Sequence, residues 1–165
     1  AYVKAEAEKF GENIEKDLRV NTEFKNNTHL DRRIKIGYLS ADFRDHPVPY
    51  FLESLLKHHN RQKFEIYVYS TTIFDNPILQ RLKQHVEHWK DVYKLSDEKI
   101  CAEIIEDEID ILIDLAGHTA YNHLKVFAQR AAPIQATWLG YPGTTGLKTM
   151  DYKITDPYLE PEGYE

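Results

Sequence analysis

Two histidines stand where runs of apolar residues give way to polar ones. His118 follows Asp110-Ile111-Leu112-Ile113-Asp114-Leu115-Ala116-Gly117 and precedes Thr119; His46 comes six residues after Ser40, which closes Ile34-Lys35-Ile36-Gly37-Tyr38-Leu39, and precedes Pro47. A neutral imidazole in such a loop can take a proton from a hydroxyl or donate a hydrogen bond to a leaving phosphate. Pro47 biases His46 toward extended backbone just ahead of a helix. Asp114 lies four residues before His118 among Ile and Leu, where a carboxylate is costly unless hydrogen-bonded. It either orients His118 or caps loop N–H groups. A third polar loop, Gly140-Tyr141-Pro142-Gly143-Thr144-Thr145-Gly146, spaces its glycines three apart. It matches neither G-x-G-x-x-G nor a Walker A loop. The expectation is a tight turn whose backbone N–H groups face a ligand.

The elements that must position these loops alternate. Strands are expected at Ile34 to Leu39, Phe64 to Ser70, Asp91 to Leu95, Asp110 to Leu115, Ile134 to Leu139 and Tyr152 to Thr155. Between them run helices: Phe51, Leu52, Leu55 and Leu56 mark one, and Pro77 opens another through Ile78, Leu82, His85, Val86 and Trp89. A third carries Ile100, Cys101, Ile104 and Ile105 after a Ser96-Asp97-Glu98 cap, and a fourth covers Leu124 to Arg130. This order predicts an α/β chain with a Rossmann-like, doubly wound, mostly parallel sheet. Ligands of such sheets bind outside the carboxyl ends of the strands, so the three loops are expected to form one site. Ala1 to Leu18, with Phe10, Ile14 and Leu18 four apart, reads as an amphipathic helix. It is either a surface helix of the domain or a connector from a preceding one.

With 165 residues, 42% of them hydrophobic and 29% charged, the chain suits one globular core. A formal charge of -6 without a basic stripe argues against nucleic acid as a partner. Cys101 is the one cysteine, which excludes an internal disulfide and suits a core thiol. No apolar run reaches the roughly 18 residues of a membrane span, and no signal-peptide core opens the chain. A soluble, cytoplasmic protein is expected. His85 and His88 are three apart on an expected helix without a third ligand, so no metal is expected. His29, His58, His59 and His123 read as surface or helix-end residues. The chain starts without Met and ends at Tyr164-Glu165 just after the sixth strand, which suggests a piece of something longer.

Taken in order, four segments resemble the amino-terminal catalytic lobe of the O-GlcNAc transferase and SPINDLY-type family. They are Ile34 to Phe43 with His46, Asp114 to Thr119, Ala132 to Gly146 and Met150 to Asp156, and the likeness runs from about Arg33 to Asp156. The resemblance implies a GT-B glycosyltransferase, with two Rossmann-like lobes across a cleft, usually after tetratricopeptide repeats. It also implies metal-free, inverting transfer of a sugar from a nucleotide diphosphate donor, such as UDP-N-acetylglucosamine, to Ser or Thr of acceptor proteins. Residues 1–30 would be the connecting helix and linker, and residues 31–165 the lobe. His46 carries over as a catalytic base or acceptor-positioning group, His118 as a second active-site histidine and Thr119 as a donor-side residue. Pro47, Asp114, Gly140, Tyr141, Pro142, Gly143 and Thr144 complete the expected substrate-binding set.

In that family the nucleotide is held mainly by the carboxyl-terminal lobe, which lies beyond this sequence. The chain is therefore expected to be half an active site, inactive alone. The rival expectations are a non-catalytic interaction or sugar-nucleotide-sensing module and a GT-B enzyme acting on a free sugar. A nicotinamide dehydrogenase is disfavoured by the missing glycine fingerprint after the first strand.

Overall fold

The structure, a computed structural model, describes residues 2–29, 31–73 and 75–161. Ala1 of the expected first helix and the chain end at Tyr164-Glu165 lie outside the described residues. In order, the elements are α1 (Tyr2–Glu15), β1 (Ile34–Ser40), α2 (Pro47–His58), β2 (Phe64–Ser70), α3 (Pro77–Lys83), β3 (His88–Asp91), α4 (Asp97–Glu106), β4 (Ile111–Asp114), α5 (Leu124–Ala128), β5 (Ile134–Trp138) and β6 (Tyr152–Ile154).

The strands form one sheet in the order β3-β2-β1-β4-β5-β6, and every neighbouring pair is parallel. The order reverses between β1 and β4, paired from Ile36↔Ile111 to Leu39↔Asp114. That is the switch point where a ligand crevice forms.

Parallel strands covered on both faces must bury both sides, and the side-chain alternation shows it. Ile36 and Tyr38 of β1, Ile66 and Val68 of β2 and Ile113 of β4 pack with Val48, Leu52 and Leu56 of α2 and Leu79 and Leu82 of α3. Leu39, Tyr67, Tyr69 and Leu112 point the other way, into Ile100, Cys101 and Ile104 of α4 and Leu124, Val126 and Phe127 of α5. Cys101 is the core thiol its neighbours suggested, and burial pushes its pKa up to about 11. Ile14 and Leu18 pack on this second core, so α1 and the residues after it are fastened to the sheet's α4/α5 side.

The stretch between α3 and β3 departs from expectation. The helix ends at Lys83 and the strand begins at His88, so His85, Val86 and Trp89 are not helical and the strand starts earlier than Asp91. Tertiary contacts stop the helix. The guanidinium of Arg61 takes the His85 carbonyl, and the Glu87 carboxylate accepts the Ile66 N–H at 3.0 Å. His88 then pairs with Tyr67 and bonds Glu65 at 2.8 Å. Among the described residues no group of three or more His, Cys, Asp or Glu could hold a metal ion, and no helix is long and apolar enough to cross a membrane.

Candidate active site

The carboxyl ends of β1, β4 and β5 are three successive positions along one rim of the sheet. Asp114 closes β4 and is 1% exposed. Its oxygens accept the Ala116 N–H at 3.0 Å, the Gly117 N–H at 2.8 Å and the Thr137 hydroxyl at 2.8 Å. Burial lifts its carboxyl above the usual range, against the pull of those three donors. Of the two roles open to Asp114, the structure selects the loop cap. Among the described residues it makes no hydrogen bond to His118, and its oxygens are turned inward to the loop. Its effect is to fold the chain sharply at Gly117, whose φ of +55° favours glycine.

That fold delivers His118, half-buried. Its Nε2 lies 2.9 Å from the carbonyl oxygen of Thr145, and its ring meets Phe10 and Tyr141 edge-on at centroid distances of 4.8 and 5.4 Å. A carbonyl only accepts, so in the neutral ring Nε2 carries the hydrogen and Nδ1 holds the lone pair. Thr119 donates its hydroxyl to the Ala116 carbonyl at 2.9 Å. The β4 and β5 loops are thus one unit, joining Asp114, His118, Thr119 and Gly140 to Thr145.

Part of the glycine loop's hydrogen bonding is internal. The Gly140 N–H bonds the Trp138 carbonyl at 2.8 Å, with Leu139 held at φ +71°, a strained three-residue turn. The Gly146 N–H goes to the Thr144 hydroxyl oxygen at 3.1 Å. These two amides are spent within the loop. Contact is what demands glycine here: a Cβ on Gly140 would lie 1.9 Å from the Leu115 carbonyl oxygen, and one on Gly143 2.6 Å from the Tyr141 ring. Thr144 is exposed, and the Pro142 carbonyl accepts from Lys153.

His46 sits on the neighbouring strand's loop. It is the N-cap of α2, with extended backbone, and Nδ1 accepts the Val48 N–H at 3.4 Å. In the neutral ring this leaves Nε2–H as a donor. Pro47 is the first residue of the helix and is exposed. Among the described residues, His46 shares the rim with His118 and Tyr141 but has no hydrogen bond or ring contact to them.

Sequence reasoning missed a sizeable opening on this rim. A cavity of about 620 Å³ lies between the loops after β1, β2, β3 and β4, lined by residues that include Arg44, Thr71, Tyr93, Tyr121 and His123. His123 does stand at the end of a helix, with Nδ1 2.7 Å from Asp97, and Arg44 is paired with Asp42 at 2.9 Å. The signal was available: the strand-end rule applied to β1, β4 and β5 holds equally for β2 and β3.

Sheet order and strand pairing together define a Rossmann-like α/β fold. The chain belongs to glycosyl transferase family 41, whose model matches residues 11–164. It is 44% identical over 144 residues to the SPINDLY protein of Arabidopsis thaliana, named a probable UDP-N-acetylglucosamine–peptide N-acetylglucosaminyltransferase, covering 85% of this chain and 16% of that one. It is 37% identical over 142 residues to the UDP-N-acetylglucosamine–peptide N-acetylglucosaminyltransferase of Caenorhabditis elegans, covering 81% of this chain and 12% of that protein. A mutant O-GlcNAc transferase of Thermobaculum terrenum superposes with a TM-score of 0.91 at 36% identity, over 98% of this chain and 31% of that one. The chain therefore spans under a third of each of these relatives.

Proposed function

We propose that this chain is the amino-terminal half of an inverting, GT-B protein O-glycosyltransferase that moves N-acetylglucosamine from UDP-N-acetylglucosamine to Ser or Thr of cytoplasmic proteins, without metal or other cofactor. The observation that carries the reading is the joined rim of Asp114, His118 and the Gly140–Gly146 loop, in a chain whose family match runs from residue 11 to 164. The rim suits the acceptor side of the reaction. The lone pair on His118 Nδ1 can accept a hydroxyl hydrogen, and His46 offers Nε2–H to an oxygen of the substrate. Holding the acceptor oxygen against an oxocarbenium-like centre is the work asked of this lobe.

Neutralising a leaving diphosphate needs cations. The guanidinium of Arg44 on the cavity wall is already bonded to Asp42. The second lobe therefore supplies that charge, and the chain alone is half a site. The test is mass spectrometry of acceptor proteins incubated with a full-length enzyme carrying this lobe and either UDP-N-acetylglucosamine or a fucose donor. Transfer of N-acetylglucosamine by the full-length enzyme and none by the 165-residue chain is expected. Fucose transfer would replace the donor assignment, and turnover by the chain alone would overturn the half-site reading.

A further inference from the structure

Phe10 belongs by spacing to an apolar stripe with Ile14 and Leu18, and it is the more exposed end of that stripe. Ile14 and Leu18 are partly buried against the core formed with α4 and α5, whereas Phe10 is 37% exposed. Its ring instead meets His118 at 4.8 Å and an interplanar angle of 75°. The backbone of α1 also braces the carbonyl that His118 holds. Gly146, next to Thr145, has φ +74°, and a Cβ there would lie 1.9 Å from the Ala7 carbonyl oxygen. A Cβ on Gly11 would lie 2.1 Å from the Gly146 carbonyl oxygen. The Lys148 N–H reaches Glu15 at 2.8 Å, fixing the loop to the end of the helix. Phe10 touches the imidazole, and the α1 backbone backs the loop that carries its hydrogen-bond acceptor.

We propose that Phe10 is a positioning residue for His118: through it and the Gly11–Gly146 contact, α1 holds the imidazole in the Nε2–H tautomer, with Nδ1 as the acceptor nitrogen. The inference deepens the proposed function and rests on its reading of His118 as a site residue. It makes the segment preceding the lobe a control on the site, because displacing α1 loosens the ring contact and the Thr145 carbonyl together.

The tautomer is measurable apart from activity. Long-range proton–nitrogen spectra of the histidine-labelled chain at about pH 8, above the ordinary imidazole range near 6.5, report each ring nitrogen, and a His118→Gln variant assigns the signals. The expected result is a single Nε2–H form for His118 in the unsubstituted chain. Phe10→Ala moves both nitrogens toward tautomer-averaged positions, and Phe10→Leu, which keeps an apolar side chain without the ring edge, moves them less. In the full-length enzyme Phe10→Ala lowers kcat about tenfold with donor KM within about twofold. An Nδ1–H form in the unsubstituted chain overturns the proposal, as do nitrogen shifts that stay fixed in a folded Phe10 variant; where the alanine variant does not fold, the leucine variant decides. Full turnover by a His118→Gln enzyme removes His118 from the site, and the spectra still decide whether α1 sets its tautomer.

Discussion

Strand β4 has an aspartate at either end, and the two are held in opposite ways. Asp110, just before the strand, is gripped by Arg32 through two bonds of 2.6 and 2.7 Å, by Asn26 at 2.8 Å and by the Lys35 N–H at 2.9 Å. Burial acts to raise its pKa, but Arg32 and the other donors outweigh it and hold the carboxyl below its ordinary 3.8. Asp114, at the far end, is hydrogen-bonded by three neutral donors, and burial moves its pKa upward against their pull and that of nearby His118. The amino edge of the sheet is therefore locked by charge, which ties Asn26 and Arg32, both ahead of β1, to the strand. The carboxyl rim is locked by neutral hydrogen bonds. One edge is closed by an ion pair, the other by buried neutral hydrogen bonds that set the loops bearing its polar groups.

Cutting the neutral lock has the largest expected effect. Asp114→Ala leaves two N–H groups and the Thr137 hydroxyl without acceptors in a dry interior, and urea unfolding is expected to show a loss of about 4 kcal/mol. Asp114→Asn, which keeps one acceptor oxygen, loses about half of that. Equal stability in the alanine variant would mean that water reaches the loop.

Removing the rim's chemistry without its scaffold comes next. His46→Ala in the full-length enzyme is expected to lower kcat about 10²-fold while costing about 1 kcal/mol of stability through the lost helix cap. Unchanged turnover in a folded variant would take His46 out of the mechanism. Gly146→Ala drives a methyl group into the α1 backbone at a left-handed φ. A loss of about 2 kcal/mol is expected, with hydrogen exchange opening α1 while β4 stays protected.

Acid sharpens the comparison with the smallest effect. A carboxyl whose folded pKa is depressed contributes stability that is fully present above its unfolded pKa and is lost as pH falls through the folded value. Asp110 thus costs stability below about pH 4, and Asp110→Asn should flatten that part of a denaturation profile. Asp114 is shifted the other way, so its protonation favours the fold. Amides near Asn26 and Lys35 are expected to lose exchange protection on acidification before those of Ala116 and Gly117.

Much of this was legible in the sequence, because the physics that made it so is local. The apolar run of β4 stopping at Gly117-His118-Thr119 is set by its own residues, and so are the strand–helix alternation and the Pro77 start of α3. What was not legible depends on partners distant in sequence. Val86 and Trp89 keep a helical spacing while lying after the helix, because Arg61 and Glu87 make their contacts from elsewhere. The glycines of the β5 loop read as amide donors, whereas two of them answer to the Leu115 carbonyl and the Ala7 carbonyl. Phe10 belonged by period to the apolar stripe of an amphipathic helix, and only the packed structure shows its ring on His118.

The account is tested most directly by turnover of the full-length enzyme with one substitution at each end of β4's environment, His118→Ala at the rim and Asp110→Asn at the amino edge, scored as N-acetylglucosamine transferred to protein Ser and Thr. The expected result is a fall of about 10²-fold for His118→Ala and a change within about twofold for Asp110→Asn at neutral pH. Equal losses, or full turnover without the imidazole at 118, would contradict the assignment of chemistry to the carboxyl rim.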